Sequence, residues 1–154
     1  MERNDERFPK RKHPRLRYYD YTQPGSYFVT ICTTEKKCIF GEPELLNQYG
    51  WLAQQGLAEI EKHAQGVRVD KYVVMPNHVH AIIVLGESAT DLSVVIGQYK
   101  SAVTRKIRRI KSGMAIWQTS FHDHVIRSEE AYQRIWEYID TNPIRWKDDC
   151  FYVE

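Results

Sequence analysis

"YVVMPNHVHAIIVL", residues 72–85, is the stretch that decides the fold. Two apolar runs rich in β-branched residues flank Pro76-Asn77. Proline presets φ and asparagine tolerates unusual dihedral angles, so this pair favours a tight turn. The stretch therefore predicts a β-hairpin with one strand over 67–75 and the returning strand over 78–85.

His78 and His80 are two imidazoles on an otherwise apolar strand. Because side chains alternate across a strand, both project from the same face. Neutral imidazoles at this spacing can bind one divalent ion. The alternative is that they are packing residues hydrogen-bonded to their neighbours, and spacing alone favours that alternative slightly, since two ligands do not make a metal site. His122 and His124 in "FHDHV" repeat the spacing, but their segment is typical of an edge strand with one wet face.

Around this hairpin the sequence alternates strand and helix signals. "SYFVTICTT", residues 26–34, is rich in β-branched and aromatic residues and predicts a strand. Apolar residues three and four apart, with start and stop signals, predict helices over 43–65, 91–111 and 128–141. A short strand or extended segment over 117–126 completes the order β-α-β-β-α-β-α. The sequence therefore predicts an α+β fold: a ferredoxin-like antiparallel sheet with two helices on one face, plus an additional C-terminal helix.

The composition is typical of one globular domain, with 154 residues, 42% apolar and 27% charged. No window approaches the roughly 18 apolar residues of a membrane span, and the N-terminus lacks the apolar core of a signal peptide. We therefore expect a cytoplasmic protein with no membrane partner, built as a basic arm over 1–24 and a single domain over 25–154. The cysteines, Cys32, Cys38 and Cys150, fit neither a zinc spacing nor a disulfide framework and are expected to be small apolar fillers.

The net charge is only +2, but the basic residues are clustered. Residues 1–17 carry seven Lys/Arg against three acids, and residues 100–111 carry six and no acid. Such clusters on a nearly neutral chain indicate a polyanion-binding surface. A solvated arm and a solvated helix face explain either cluster alone equally well. The predicted nucleic-acid contacts are Arg11, Lys12, Arg15, Lys100, Arg105, Lys106, Arg108 and Arg109.

The last predicted helix contains "AYQRIWEYIDTNP", in which Tyr138 and Asn142 are four residues apart and share a face. Asn142 precedes Pro143, a position biased towards extended backbone, so we expect its amide to turn away from the helix. In isolation, Tyr138 is better explained as a half-buried aromatic beside the apolar stripe, with its hydroxyl at the rim.

Three motifs together resemble a known family. "YVVMPNHVHAIIVL", followed by a basic helix and then by "WQTSFHDHVIRSEEAYQRIWEYIDTNPIRW", resembles the single-tyrosine His–hydrophobic–His transposases. The chain looks most like the REP-associated tyrosine transposase branch of the insertion-sequence transposase-like superfamily. The resemblance runs from Gly25 to Trp146, and "PNHVH", "WQ..FHDH.IR" and "YI..NP" occur in that order and spacing. It says least about the arm and the surface that reads the target.

The resemblance implies a site and its metal. His78 and His80 match the metal-binding pair, Asn142 matches the polar residue that completes the site, and Tyr138 matches the nucleophile. The metal is typically Mg²⁺ or Mn²⁺. The other histidine pair matches a stretch near the site and is given a supporting or DNA-contacting role.

The implied function is metal-dependent nicking of single-stranded DNA and strand transfer at hairpin DNA, through a 5′-phosphotyrosine intermediate, in a transposase or a host-adopted transposase. In that reaction Tyr138 would attack phosphorus, and a divalent metal, when bound, would neutralise phosphate charge. Tyr99, on the basic helix, is a weaker candidate nucleophile because its neighbours suit DNA contact better. Tyr18, Tyr19, Tyr21 and Trp117 offer stacking platforms for bases.

Two other functions stay open, as does the oligomeric state. A catalytically idle hairpin-binding protein of the same fold is the main alternative, although a retired site need not keep all four residue types. A metal hydrolase unrelated to nucleic acid is a poor third, because a carboxylate triad near the histidines is missing from the sequence. The resemblance allows a monomer or a homodimer.

Overall fold

The structure is a computed structural model and describes residues 25–153. These residues form six strands and three α-helices in the order β1 (Gly25–Cys32), β2 (Gly41–Glu42), β3 (Leu45–Leu46), α1 (Gln48–His63), β4 (Val67–Met75), β5 (His78–Leu85), α2 (Leu92–Ile110), β6 (His122–Ile126) and α3 (Glu129–Thr141). The predicted basic arm, with Arg11, Lys12 and Arg15, lies outside the described residues. Within the described chain, no helix combines the length and apolar character needed to cross a bilayer.

Four strands form one antiparallel sheet in the order β4-β5-β1-β6. β1 and β5 occupy the centre, and each helix crossover skips one strand, which is the ferredoxin-like arrangement. The predicted fold is therefore confirmed. The β4–β5 hairpin turns at Pro76-Asn77, as the sequence of residues 72–85 predicts. Strands β2 and β3 form a separate two-stranded ribbon.

The sheet has a large core on one face and a small one on the other. On β5, the side chains of Val79, Ala81 and Ile83 belong to the large core, which also contains the buried faces of α1 and α2. The small core holds four buried residues, Phe28, Ile82, Ile135 and Ile139, and lies beneath α3. The additional helix thus covers the face opposite the other two helices.

The first helix begins later than predicted. Residues 43–46 do not start α1 but belong to the β2–β3 ribbon, whose turn places Glu44 in the left-handed region with φ 62°. Asn47 caps the helix: its Oδ1 accepts hydrogen bonds from the Tyr49 and Gly50 amides, both at 3.0 Å. Its Nδ2 also donates to the Ile39 carbonyl at 2.8 Å. This contact fixes the helix start, because it satisfies the cap only when the chain turns at Asn47.

Gly56 lies in the middle of α1, where glycine weakens a helix. A Cβ at this position would stand 2.9 Å from the Tyr99 ring and 2.9 Å from the Val103 side chain on α2. The glycine therefore lets the two helices pack closely, which explains its place in a helix interior.

Within the short strand or extended segment predicted over 117–126, strand β6 begins at His122, and Trp117 forms an isolated bridge with Thr33. Cys32 is a buried filler, as predicted, whereas Cys38 and Cys150 are exposed. An exposed thiol fills no core, so the packing role assigned to those two cysteines is wrong.

Candidate functional site

His78 and His80 lie side by side on the face of the sheet that α3 covers. They are 0% and 1% exposed, and their ring centroids are 4.5 Å apart. Strand alternation brings them to this face together with Ile82, while the residues between them enter the large core. The structure thus places both imidazoles at the start of β5, next to the hairpin turn, in the interior between the sheet and the C-terminal part of the chain.

Asn77 orients the first imidazole. Its Nδ2 donates to the Phe151 carbonyl at 2.7 Å and to the Lys36 carbonyl at 3.2 Å. These two bonds fix the amide so that Oδ1 faces His78 Nδ1, at 2.8 Å. An amide oxygen can only accept, so we assign the proton to His78 Nδ1 and the lone pair to Nε2. The turn residue thus also positions a predicted metal ligand.

In each of the two histidines, the described residues provide a hydrogen bond to one ring nitrogen and none to the other. His80 Nδ1 forms a hydrogen bond with Thr30 Oγ1 at 2.9 Å. Among residues 25–153, the Nε2 atoms of His78 and His80 have no hydrogen-bond partner, although both atoms are buried. A buried polar atom without a partner is costly, and a metal ion is one way to satisfy it.

Burial keeps the two rings neutral. It lowers the pKa of His78 to about 4, against the opposing influence of the Asp149 carboxylate and the Asn142 side chain. Burial, and next the proximity of His78, hold the pKa of His80 well below its ordinary value of 6.5. Neutral imidazole is the form that binds metals, so the site is prepared to accept a cation at neutral pH.

Asp149 joins this pair and was not found from the sequence. Its side chain is fully buried, and one carboxylate oxygen lies 4.0 Å from His78 Nε2. One ligand atom from each of His78, His80 and Asp149 lies within 4.8 Å of the others, a spacing that one metal ion can bridge. In "KDDC" nothing distinguishes Asp149 from Asp148, because only the path of the chain after α3 brings one of them to the sheet.

Asn142 lies beside the cluster, buried to 2% exposure. Its Nδ2 donates to Asp149 Oδ2 at 2.6 Å, and its Oδ1 has no hydrogen-bond partner within the described part of the chain. The backbone is helical, with φ −57° and ψ −43°, so the expected extended conformation is wrong. Arg145 explains this: its amide donates to the Thr141 and Asn142 carbonyls and continues the turn past Pro143.

Helix α3 brings Tyr138 to the histidines. The Tyr138 ring centroid lies 5.4 Å from that of His80 and 6.1 Å from that of Phe28. Tyr138 is half-buried, as a residue beside the apolar stripe should be. The structure therefore unites the predicted tyrosine, histidines and asparagine at one place.

Tyr99, the weaker candidate nucleophile, lies on the other side of the sheet. It is buried in the large core and donates a hydrogen bond to the Ala53 carbonyl at 2.8 Å. Burial raises its pKa. A buried hydroxyl committed to a backbone carbonyl cannot act as a nucleophile towards DNA, so this alternative is wrong.

Aromatic side chains of the C-terminal segment cover the site. The Phe151 ring centroid is 4.5 Å from that of His78 and 5.8 Å from that of His80. The Trp146 ring lies 6.1 Å from His78. This cover, together with the sheet beneath, accounts for the low exposure of the two imidazoles.

The second histidine pair stands apart from the cluster. His122 lies opposite Thr30 and His124 opposite Phe28, on the α3 side of the edge strand β6. β1 separates them from β5, which places them roughly 10 Å from the first pair. His122 is exposed and His124 half-buried. Their predicted supporting role stays a prediction, and a ligand role at the same metal does not fit this spacing.

The predicted basic helix, α2, borders an open groove. The groove has a volume of about 450 Å³ between α2 and the segment 115–118, and Lys100, Arg105, Arg108 and Trp117 line it. Lys100 Nζ donates to the Gln118 carbonyl at 2.6 Å, which ties the segment to the helix. Lys106 lies outside this groove, 3.4 Å from Glu59, and Arg109 is exposed.

A ferredoxin-like sheet with paired histidines on its central strand and a tyrosine on the covering helix defines the class of single-tyrosine transposases. The chain belongs to the family of IS200-like transposases, whose model matches residues 21–142. The predicted resemblance is therefore confirmed, and with it membership of a family of DNA-processing enzymes.

Relatives agree with this assignment. An uncharacterized protein of Haemophilus influenzae is 34% identical over 94% of both chains. The REP-associated tyrosine transposase of Escherichia coli K12 is 26% identical over 81% of this chain and 70% of its own. The solved structure of a REP-associated tyrosine transposase bound to a REP hairpin has a TM-score of 0.68 at 23% identity, covering 85% of this chain and 73% of that one. The last comparison supports the fold.

Proposed function

We propose that the protein nicks single-stranded DNA beside hairpins and transfers the strand through a 5′-phosphotyrosine on Tyr138, as a transposase or a host-adopted transposase. The observation that carries the proposal is the position of Tyr138 against two buried, neutral imidazoles whose Nε2 atoms are open. Residues of these types are what phosphoryl transfer to a protein nucleophile requires.

A divalent metal fits the residues present. His78, His80 and Asp149 offer two nitrogens and one carboxylate oxygen within reach of one another, and Asn142 Oδ1 is a further open acceptor beside them. These residues would hold Mg²⁺ or Mn²⁺, which when bound would neutralise the charge of a DNA phosphate. With two neutral ligands and at most one carboxylate, most of the cation's charge remains available.

The chain's own part in the reaction is the covalent step. The Tyr138 oxygen, having lost its proton, forms a bond to phosphorus while the bond from phosphorus to the 3′ oxygen breaks. The released 3′ oxygen takes up a proton, and the downstream DNA stays on the tyrosine through its 5′ phosphate. Because the phosphodiester energy is retained, a second 3′-hydroxyl can reverse the step and join a new strand.

The cover over the site has to open for this reaction. With the imidazoles at most 1% exposed, a phosphate reaches them only after the Phe151 and Trp146 rings move aside. Asn77 and Asn142 hold the same segment through hydrogen bonds to Phe151 and Asp149, so opening exchanges these bonds for contacts with DNA.

DNA contact is assigned to α2 and to the arm. The groove offers Lys100, Arg105 and Arg108 for phosphates and the half-buried Trp117 as a stacking surface. Lys106, Arg109 and the arm over 1–24 extend this basic surface in the proposal, ahead of a single catalytic domain over 25–154. A relative of the same fold was solved bound to a REP hairpin, which supports hairpin DNA as the substrate class.

Labelled hairpin oligonucleotides test the proposal. With Mn²⁺, we expect a protein–DNA adduct on a denaturing gel that retains a 3′ label and releases the 5′-labelled fragment. Tyr138→Phe should abolish the adduct, whereas Tyr72→Phe, on the opposite face of the sheet, should form it at the parental rate. Hairpin binding without any adduct would instead identify an idle binding protein, and an adduct that persists in Tyr138→Phe would contradict the assigned nucleophile.

A further inference from the structure

Strand β4, at the edge of the sheet, contains a β-bulge next to α3. Val69 pairs with Ile83 and Lys71 with Ile82, so Asp70 is the extra residue. A bulge turns side chains away from the regular alternation. Here two consecutive residues, Asp70 and Lys71, both reach α3, which a regular strand would prevent.

Asp70 and Lys71 contact side chains on three consecutive turns of α3. Tyr132 donates its hydroxyl hydrogen to Asp70 Oδ2 at 2.7 Å. Lys71 Nζ forms a salt bridge with Asp140 Oδ1 at 2.7 Å and lies 3.9 Å from the centroid of the Trp136 ring. The Lys71 side chain is 21% exposed and that of Asp140 51%, so the ion pair itself is partly screened by solvent, and the cation–π contact with Trp136 adds to it.

These contacts lie on the side of α3 that faces away from His78 and His80. Trp136 and Asp140 are four apart and share one flank, while Tyr138, two residues from either, is turned by roughly 200° of helix rotation. Ile135 and Ile139 lie between the two flanks and face the sheet. Contacts at Lys71 therefore resist the rotation and tilt of α3 that would carry Tyr138 away from His80.

We propose that Asp70 and Lys71 form a clamp that sets the position of α3 and so holds Tyr138 at the candidate metal ligands. They are positioning residues, since neither touches the histidines. The inference rests on the proposed function and deepens it, because it names what orients the nucleophile. Among the described residues, the small core places only two buried sheet residues, Phe28 and Ile82, beneath the helix.

Lys71→Met tests the clamp, because methionine keeps an apolar stem against Trp136 but loses the charge. We expect adduct formation at saturating hairpin DNA to slow by about tenfold or more, while the hairpin Kd stays within twofold. Lys71→Arg, which keeps the salt bridge and the cation–π contact, should restore most of the rate. Lys62→Met, which removes a charge from α1 on the other face, should match the parental protein. Amide hydrogen exchange of residues 129–142, measured without DNA, should be faster in Lys71→Met.

The outcomes separate the clamp from the proposed function. An adduct rate for Lys71→Met within twofold of the parental rate overturns the clamp, as does a rate lost only through weaker DNA binding. If the parental protein forms no adduct with any hairpin, the proposed nicking function is wrong. Amide hydrogen exchange then tests the clamp by itself. Unchanged exchange of α3 in Lys71→Met overturns the clamp, and faster exchange supports it as the contact that holds the helix.

Discussion

At the scale of single residues, hydrogen bonds join the strand of the two histidines to parts of the chain that are distant in sequence. Asn77 touches a histidine, the 33–37 loop through the Lys36 carbonyl and the C-terminal segment through the Phe151 carbonyl. Asn142 and Asp149 make a second link through their hydrogen bond. The candidate metal ligands are thus oriented by hydrogen bonds to neighbouring side chains and carbonyls, which is how proteins fix ligand geometry.

Asp149→Asn should weaken metal binding. The change removes the only carboxylate that the structure places in the cluster among residues 25–153, and we expect the Mn²⁺ Kd to rise by about 10- to 100-fold. Isothermal titration calorimetry measures the change, and Asp148→Asn, an exposed neighbour, is the matched control. Equal affinities for Asp149→Asn and the parental protein would place Asp149 outside the metal site.

Stability without metal should fall in acid through the histidines. His78 has a folded-state pKa of about 4 against an ordinary 6.5, so the unfolded chain binds more protons between these values. Stability from neutral His78 is therefore complete above about pH 6.5 and is lost as the pH falls towards 4, on the order of 3 kcal/mol in all.

Urea unfolding in EDTA, repeated from pH 7 to pH 4, measures this dependence. His78→Gln should flatten the pH profile over that window, because glutamine does not titrate. A parental profile that is flat between pH 6.5 and 4 would contradict a buried neutral His78.

The residues that the sequence could identify are those whose placement depends on local geometry. His78 and His80 share a face because strands alternate, and Tyr138 and Asn142 share one because helices turn every 3.6 residues. Asp149 could not be found this way, since a turn beyond α3 carries it back to the sheet. The helical backbone of Asn142 was also not predicted, because the hydrogen bonds of the turn after Pro143 outweigh the preference of a residue before proline for extended backbone.

At the scale of secondary-structure elements, the long strands and helices follow from the sequence, while the short ones depend on contacts. Leu45, Leu46 and Tyr49 fit the spacing of a helix equally well whether it begins at 43 or 48. The bond from Asn47 to the Ile39 carbonyl decides the start, and that partner is eight residues away. Residues 43–46, which the helical spacing also fits, belong to the β2–β3 ribbon and its turn.

The groove along α2 should contribute electrostatic affinity for DNA. Arg105→Ala and Arg108→Ala should each weaken hairpin binding and reduce the slope of log Kd against log salt by about 1. The loss should be similar for different hairpin sequences, since phosphates carry no sequence. Fluorescence anisotropy at several salt concentrations measures both effects, and Lys62→Ala serves as the control. An unchanged salt slope in both arginine variants would remove the groove from the DNA path.

At the scale of the whole molecule, one chain supplies the complete candidate site. The sheet supplies the paired histidines, α3 supplies Tyr138, and the segment after α3 supplies Asp149. We therefore expect the site to form within one copy, whether the protein is a monomer or a homodimer.

Mixing two inactive variants tests this arrangement. Tyr138→Phe lacks the nucleophile and His78→Ala lacks a metal ligand, so neither should form an adduct alone. If the site is built within one chain, a mixture incubated long enough to exchange subunits should also remain inactive in the denaturing-gel assay. Restored adduct formation in the mixture would show that α3 serves the sheet of another copy.

The alternation of β5 sets a rule for how this protein can diverge over generations. Single substitutions along the strand alter one face at a time and leave the other intact. A gain or loss of one residue in β5 that no bulge absorbs shifts the register on one side of the change and exchanges the faces there, so that apolar side chains and imidazoles trade places. We therefore expect proteins descended from this chain to vary the side chains of β5 other than His78 and His80, while the length of the strand is kept.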